Sequence, residues 1–266
     1  MKTGKFELPQ LPSTLQKVTS LTANAGVEMD AIVNVISTDP VLSSELLKTA
    51  NSVLYGGRVA CEGLRDAVMR LGMRGLRGIV MTFTMRTAIL RDPRLTTHAK
   101  EVWRQALSVA RLARHLAPHA RIDPDHAYLM GLTHDIGKVA LLAMVSRHTR
   151  ESGKLSGAFL GTLFVRFHER IGAKMASEWN LPEEIVSIAG RHHDFARNPT
   201  HPREAALVSL AHRMDLFATQ GEEQGYRLLS RSDEMDLLEI PREDRMNILS
   251  EALPLLRETE AMATAA

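Results

Sequence analysis

The sequence predicts an all-α protein built from two packed helical bundles and a helical C-terminal extension. Signals for β-strands are scarce along the chain. Apolar residues instead recur three and four positions apart, a spacing that places them on one face of an α-helix. Residue pairs that favour helix starts also recur. The apolar positions with this spacing include Ile32, Val33, Val35, Ile36, Leu42, Leu46, Leu47, Leu107, Ala110, Leu112, Ala113 and Leu116.

Several helix boundaries can be predicted from short local signals. Asp39-Pro40 and Asp123-Pro124 each pair an N-cap acceptor with a proline, whose missing N–H costs nothing in a first helical turn. Leu181-Pro182-Glu183-Glu184 predicts another helix start, with its acids at the positive end of the helix dipole. Gly56-Gly57 and Gly72 indicate stops or tight joints between short helices.

These boundaries divide the chain into three predicted parts. Residues 8–92 form a small orthogonal helical bundle, which Asp92-Pro93 ends. Residues 96–218 form a second helical bundle that contains most of the candidate chemistry. Two polar segments interrupt this bundle, Ser152-Gly153-Lys154 and residues 198–202. Residues 219–266 form a helical extension and a tail.

Composition indicates a soluble intracellular protein. The 266 residues are 44% hydrophobic and 24% charged, which is ordinary for a globular chain. The single cysteine, Cys61, excludes an intrachain disulfide and a cysteine-rich zinc module, and it suits a reducing compartment. No uncharged apolar run approaches the roughly 18 residues of a membrane span, and the first residues lack the apolar core of a signal peptide. We therefore expect a cytoplasmic protein without membrane insertion.

The charge balance argues against a nucleic-acid partner. A formal net charge of +2 lacks the basic excess of proteins that follow phosphate backbones. Residues 65–94 contain seven arginines against two aspartates, and residues 221–266 contain eleven acids against five arginines. Solvated helix faces are the ordinary explanation of such local runs.

The candidate chemistry is concentrated in one histidine-rich set of positions. His134 and Asp135 are adjacent at the start of an apolar helical run, and His168, His192 and His193 follow downstream. Imidazole and carboxylate are ligands of hydrolytic metal centres, because they hold a divalent ion and leave open positions for water. A buried His–Asp pair can equally be a hydrogen-bonded fold element, in which the aspartate fixes the imidazole tautomer. The residues alone leave both interpretations open.

Six segments of the chain form an ordered series of short motifs. They are Leu8-Pro9-Gln10-Leu11-Pro12, Asp39-Pro40-Val41-Leu42, Leu46 to Ser52 with Tyr55-Gly56, Leu64 to Gly72, His134 to Lys138, and His168 through Gly172, Trp179 and Leu181-Pro182 to His193. Together, over residues 8–218, they resemble the HDOD family of bacterial signalling modules, in the family's own order. This family is related to HD and HD-GYP metal phosphohydrolases. The resemblance implies an all-helical fold and a histidine–aspartate pocket.

Two positions depart from the pattern of active HD enzymes. The resemblance places Gln105 where active relatives have their first histidine ligand, and an amide is a poor transition-metal ligand beside an imidazole. It places His212 where they have a late aspartate, and a neutral imidazole cannot supply that negative charge. We therefore expect no catalysis and no required cofactor, with weak binding of a divalent metal left open. The expected vestigial ligands are His134, Asp135, His168, His192, His193 and His212.

Five polar residues are candidates for ligand or partner contacts. Asn51 and Ser52 end a predicted helix, where capping by short polar side chains competes with a binding role. Arg104, Lys138 and Arg191 could hold phosphate groups if the pocket binds a nucleotide, although Lys138 could also lie in solvent. Trp103 and Trp179, by contrast, are predicted core residues because they fall in apolar helices.

The predicted function is a non-catalytic signalling scaffold that binds another regulatory protein. The resemblance implies a response regulator, a sensor kinase or a cyclic-dinucleotide enzyme as the partner. The first alternative is a metal-dependent HD-type phosphohydrolase or cyclic-dinucleotide phosphodiesterase, although the Gly-Tyr-Pro tripeptide of the cyclic-dinucleotide branch is missing. The second alternative is a nucleotide sensor without hydrolysis, although no glycine-rich phosphate loop is present.

Overall fold

The computed structural model confirms the all-α fold. It describes residues 13–23, 26–52, 55–57, 59–89, 95–148, 156–220 and 223–264. Within these ranges the regular structure is helical and no strand occurs. Three features considered in the sequence lie outside the described residues: the segment Leu8 to Pro12, the pair Asp92-Pro93, and the interruption Ser152-Gly153-Lys154.

The chain separates into two compact units, of which Gln10–Thr87 is the smaller. Asp39 begins the third helix as predicted, because its side chain accepts hydrogen bonds from the backbone N–H groups of Val41 and Leu42, each at 3.0 Å. The predicted apolar face is also present, with Ile36 and Leu46 fully buried. The helices are α1 (Ser13–Ala23), α2 (Met29–Ser37), α3 (Pro40–Ala50) and α4 (Leu64–Ile89), the last of which extends past the unit boundary.

Gly72 is the tight joint that the sequence predicts. It breaks α4 into two helical pieces, with φ 65° and ψ 174°. That combination lies in a region that only glycine occupies readily, because a Cβ would clash with the local backbone. The bend therefore depends on glycine at this position rather than on the surrounding packing, which leaves open space around it.

The loop after α3 is fixed by two side chains of the smaller unit. Asn51 donates to the carbonyl of Cys61 at 3.0 Å and accepts from its N–H at 2.7 Å. Arg70 donates to the carbonyls of Ala50 and Val59, and its Nη1 also lies 3.2 Å from Asn51 Oδ1. Asn51 therefore ties the end of α3 to Cys61, whereas Ser52 caps the helix by donating to the carbonyl of Thr49 at 2.7 Å.

The larger unit contains Ala88–Ala266 and is centred on α5. Helices α6 and α10 pack on α5, α7 packs on α8, and α8 packs on α9. Trp103 and Trp179 are buried, which confirms them as core residues. The helices up to this point are α5 (Thr96–Leu116), α6 (Pro124–Thr133), α7 (Ile136–His148), α8 (Gly157–Glu178), α9 (Glu183–Arg191) and α10 (Pro202–Gln220).

The C-terminal extension packs against the same unit. Arg213 of α10 forms a two-point ion pair with buried Glu234, at 2.8 and 2.9 Å. Arg111 of α5 donates to Thr259 at 2.9 Å. The division at residues 92, 96 and 218 drawn from the sequence stays a prediction. The extension contains α11 (Glu223–Leu229), α12 (Asp233–Leu237), α13 (Arg242–Glu251) and α14 (Leu253–Thr264).

One described stretch has the length and apolar composition of a membrane-spanning helix. It is Pro124–Arg147, which covers α6 and most of α7. In the most apolar part of this stretch, 78% is buried inside the protein. That burial is typical of a core helix in a soluble protein.

Candidate functional site: a histidine–aspartate pocket

His134 and Asp135 occupy the junction between α6 and α7. The two residues form a turn, and they alone separate the end of α6 from the start of α7. Both side chains are buried, with 1% and 2% of their surfaces exposed. The carbonyl of Asp135 accepts the N–H of Lys138 at 2.8 Å, so the new helix begins immediately after the pair. The junction therefore places two polar side chains in the interior of the larger unit.

Four further histidines surround this pair. His168 lies on α8, His192 and His193 follow α9, and His212 lies on α10. The His192 ring is 4.9 Å from that of His134, 5.4 Å from that of His168 and 5.8 Å from that of His212, measured between ring centroids. The structure thus brings together all six residues that the sequence nominates as vestigial ligands.

Three of these histidines are oriented by carbonyls of their own helices. The Nδ1 atoms of His134, His168 and His192 lie 2.7, 2.5 and 3.2 Å from the carbonyl oxygens of the residues three or four positions earlier. A carbonyl can only accept, so each Nδ1 carries the hydrogen, and a neutral ring then presents a lone pair on Nε2. The backbone, not Asp135, accepts the Nδ1 hydrogen of His134. The carbonyl of Gly131 thus has the role that one of the two sequence-based interpretations gave to Asp135.

The inward-facing atoms of the pocket lack hydrogen-bond partners. They are Nε2 of His134, His168 and His192 together with Oδ1 of Asp135, and all are buried. Burying such groups without a partner is costly. Metal-binding histidines characteristically donate one ring nitrogen to a carbonyl and direct the other to the ion. These residues therefore fit a bound transition metal.

The two oxygens of Asp135 face different neighbours. Oδ1 lies 3.6 Å from His168 Nε2 and 3.8 Å from His192 Nε2. Oδ2 lies 3.1 Å from His134 Nε2 and 2.5 Å from Lys138 Nζ. Lys138 is therefore an ion-pair partner inside the pocket wall, with only 15% of its side chain exposed, and the suggestion that it lies in solvent is wrong.

Gln105 and His212, the two departures from the enzyme pattern, contact each other. Lys138 Nζ donates to Gln105 Oε1 at 2.8 Å, which fixes the amide with its NH₂ group towards His212. Gln105 Nε2 then lies 3.2 Å from His212 Nε2 and donates to it. A continuous chain of polar contacts consequently runs from Asp135 through Lys138 and Gln105 to His212.

Electrostatics hold Asp135 charged and favour the neutral form of His192, His193 and His212. Burial alone would raise the pKa of Asp135, but the charges of His134 and Lys138 hold this pKa well below its usual range. Burial, together with the charge of His134, lowers the pKa of His192 well below its ordinary value. Burial likewise lowers the pKa of His193 to about 4 and that of His212 to about 3. Unprotonated imidazole is the form that binds metal.

The candidate phosphate-binding residues are placed very differently from one another. Arg104 pairs with Asp215 and Glu101. Burial alone would lower the pKa of Arg104, but these two carboxylates raise it above its ordinary value. Lys138 is engaged as described above. Arg191 is exposed at the end of α9 and lies 3.4 Å from the carbonyl of Arg197. Arg104 and Lys138 thus already have carboxylate partners. Asn51 and Ser52 belong to the smaller unit.

Close packing of α7 on α8 sets the distance between the His–Asp pair and His168. A methyl group at Gly137 would collide with the carbonyl of His168 and come within 2.7 Å of the N–H of Gly172. Only glycine allows the two backbones to approach this closely. Gly137 is therefore a positioning residue of the pocket, although it contributes no polar side chain.

Two overlapping ligand sets are present among the described residues. One contains His134, His192 and His212, and the other contains His168, Glu169, His192 and His193, with ligand atoms in each set within 4.8 Å of one another. Sequence reasoning missed Glu169, although its place next to His168 was an available signal. It also missed Asp215, which lies one helical turn beyond His212. Imidazole with carboxylate suits zinc, iron or manganese.

The HDOD domain family matches residues 8–195 of the chain. The chain belongs to the HDOD domain family. This family is related to the HD phosphohydrolases and is associated with signalling. Helix α10, which carries His212, lies beyond the matched region.

The HDOD chain is similar in fold to several solved structures. An HDOD domain protein of Geobacter sulfurreducens shares 24% identity, with a TM-score of 0.73 over 97% of this chain and 92% of that one. A protein of Shewanella amazonensis, named as a candidate metal-dependent phosphohydrolase, shares 20% identity, with a TM-score of 0.70 over 92% of this chain and 93% of that one. These likenesses support the HDOD fold.

A curated relative is an uncharacterised protein of Treponema pallidum. It is 27% identical to the HDOD chain over 97% of this chain. The match covers 51% of the relative, so the chain spans about half of that protein's length.

Proposed function

We propose that the chain is a non-catalytic HDOD signalling protein that acts by binding another regulatory protein in the cytoplasm. The observation that carries this proposal is the contact between Gln105 and His212. These residues stand where active HD enzymes place their first and last metal ligands. Here the two side chains satisfy each other, and Lys138 ties them to Asp135.

The chemistry of hydrolysis explains why this contact matters. A hydrolytic centre needs a metal-bound water and open coordination positions, and two-metal centres also need carboxylates that bridge the ions. Among the described residues, Asp135 and the half-buried Glu169 are the carboxylates beside the histidines, and a lysine ammonium already neutralises one oxygen of Asp135. The second buried aspartate nearby, Asp215, pairs with Arg104 instead. This limited negative charge supports a non-catalytic role over a two-metal hydrolase.

The partner would be a response regulator, a sensor kinase or a cyclic-dinucleotide enzyme. The test has two arms, both on the purified full chain. In the first arm, protein loaded with Mn²⁺, Fe²⁺ or Zn²⁺ is assayed with a chromogenic phosphodiester and with cyclic dinucleotides. We expect no turnover above that of a His192→Ala variant. Turnover that disappears in this variant would refute the proposal.

In the second arm, a partner recovered by crosslinking in the native bacterium is purified and titrated with the chain. We expect saturable one-to-one binding by calorimetry and a change in the partner's own activity. An unrelated monomeric regulator of the same class provides the control. Absence of saturable binding with every recovered partner would refute the scaffold role.

A second function is favoured by one observation, the convergence of buried lone pairs without partners on Asp135. A metal-dependent HD phosphohydrolase would use His134, Asp135, His168, His192 and His193 around its ion. When bound, the metal would supply a Lewis acid and an activated water. The first arm of the test separates this function from the scaffold. The nucleotide-sensing alternative is weaker, because carboxylates already neutralise Arg104 and Lys138.

A further inference from the structure

The two faces of Asp135 are chemically different. On the Oδ1 face, the Nε2 atoms of His168 and His192 lie 3.6 and 3.8 Å away and lack hydrogen-bond partners. The same two histidines form a ligand set with Glu169 and His193, whose ligand atoms all lie within 4.8 Å of one another. On the Oδ2 face, the nearest group is the ammonium of Lys138 at 2.5 Å. One face is open for a cation, and the other already has one.

We propose that the pocket binds a single transition-metal ion on the Oδ1 face, and that Lys138 closes the Oδ2 face as a built-in cation. This inference rests on the metal-binding capacity of the pocket described above. The ion would be held by Asp135, His168 and His192, with His193 or Glu169 completing the set. His212 stands outside it.

The closure of the second face depends on a relay of three side chains. Lys138 Nζ forms an ion pair with Asp135 and donates to Gln105, so the ammonium is held in place from two directions. Gln105 in turn donates to His212 Nε2, which occupies the lone pair that His212 would offer to a metal. A divalent ion bound here would face the ammonium across a short distance in a buried site, where like charges repel strongly.

The imidazoles of the open face make it suitable for a soft or borderline ion. His192 is unprotonated at neutral pH, and its ring lies 4.1 Å from that of His193 between centroids. Three imidazoles with one carboxylate favour Zn²⁺ or Fe²⁺ over Mg²⁺, which prefers oxygen ligands and retains its water. The ion chosen for the test is therefore Zn²⁺, with Mg²⁺ as the negative control.

The test measures metal stoichiometry and ligand identity rather than activity. Metal-free full-length protein is titrated with Zn²⁺ in a calorimeter, and retained metal is counted by mass spectrometry after dialysis. We expect one equivalent. We also expect ¹⁵N resonances of His168 and His192 Nε2 to shift on binding, while that of His212 does not. Two equivalents, no retained ion, or a shifted His212 resonance would overturn the inference.

A matched pair of variants checks the assignment of the faces. His168→Ala should weaken Zn²⁺ binding by more than about 10-fold, a loss seen even when only a ligand-orienting group is removed. His212→Ala should retain one equivalent with nearly unchanged affinity. If His212→Ala weakened Zn²⁺ binding and His168→Ala did not, the ion would lie on the Oδ2 face and the inference would fail. If His168→Ala fails to fold by circular dichroism, His193→Ala with Glu169→Ala replaces it, because both side chains are at least partly exposed.

Lys138→Met tests the built-in cation directly. Methionine keeps the length of the side chain and removes its charge, so the Oδ2 face should become available and a second equivalent of Zn²⁺ should bind. A stoichiometry that stays at one would refute the role of Lys138. Failure here is separable from failure of the proposed function: one equivalent with turnover would refute only the non-catalytic role, and two equivalents without turnover would refute only this inference.

Discussion

Arg104 on α5 and Asp215 on α10 form a two-point ion pair. Nη1 lies 2.8 Å from Oδ1, and Nη2 lies 2.9 Å from Oδ2. Asp215 is completely buried, so the guanidinium is its main means of charge compensation. Arg104 precedes Gln105, and Asp215 lies one turn after His212. The ion pair therefore holds the two helices in the register at which Gln105 reaches His212.

Removing Arg104 should be strongly destabilising. Arg104→Met leaves the buried Asp215 carboxylate without its cation, and we expect the free energy of unfolding to fall by about 3–5 kcal/mol. Urea denaturation monitored by circular dichroism measures the change. The double variant Arg104→Met with Asp215→Leu should recover most of the loss, because it removes both charges together. A single variant as stable as the wild type would contradict this assignment.

Gly137→Ala should destabilise the chain by about 3 kcal/mol, since a methyl group has no room between α7 and α8 and overpacking typically costs 1–3 kcal/mol. Gly161→Ala in the same pair of helices is the matched control. Gly161 is exposed and has open space around its Cα, so alanine should stabilise α8 by up to about 1 kcal/mol. Thermal unfolding compares the two variants, and equal effects would show that the close approach is unimportant.

The metal-free protein should lose stability as the pH falls. Burial lowers the pKa of His212 to about 3 and that of His193 to about 4, against 6.5 for an unperturbed histidine. Between these values the unfolded chain binds more protons than the folded chain, so acid favours unfolding. The free energy of unfolding should be constant above pH 7 and fall steadily below about 6.5. Urea titrations in the presence of EDTA test this.

His212→Gln supplies the control for that experiment. Glutamine keeps a polar group beside Gln105 but does not titrate, so the decline with pH should become shallower. A slope equal to that of the wild type would mean that His212 does not contribute.

Asn51→Ala should destabilise the smaller unit by about 1–3 kcal/mol, because it leaves the N–H and carbonyl of Cys61 without their partner. Ser52→Ala removes one bond to the carbonyl of Thr49 and should cost less than about 1.5 kcal/mol. Hydrogen exchange of the Cys61 amide provides a local readout. Unchanged protection in Asn51→Ala would favour the partner-contact interpretation of this residue instead.

Local features of the fold could be predicted from the sequence because their partners are close in the chain. Asp123 accepts from the N–H of His126 at 2.8 Å, as expected of a residue before a helix-starting proline. Gly72 interrupts α4 with a positive φ that residues with a Cβ rarely adopt, so the glycine itself is the signal for a joint. Signals of this kind need only a few neighbouring residues, so they can be read without knowledge of the tertiary packing.

The character of the pocket could not be predicted in the same way. Gln105 and His212 are 107 positions apart, and Lys138 is 33 positions from Gln105. Each substitution considered alone indicates a damaged metal site. Their mutual contact is a property of how α5, α7 and α10 pack, which no local pattern encodes. The gathering of five of the six candidate ligands, in contrast, could be expected from the family resemblance. These five are His134, Asp135, His168, His192 and His193, which all lie in the segments that resemble the family.

Gly137 lies against the backbone of α8 at His168 and Gly172. This contact fixes the spacing of one part of the pocket, whereas the side chains of the other part can be exchanged. Side chains on α5 and α10 meet through long, rotatable groups, so new pairs such as Gln105 with His212 can arise there without moving either helix. The spacing from Asp135 to His168 is instead determined by two main chains in van der Waals contact. Substitutions on α5 and α10 should therefore leave the spacing between Asp135 and His168 unchanged.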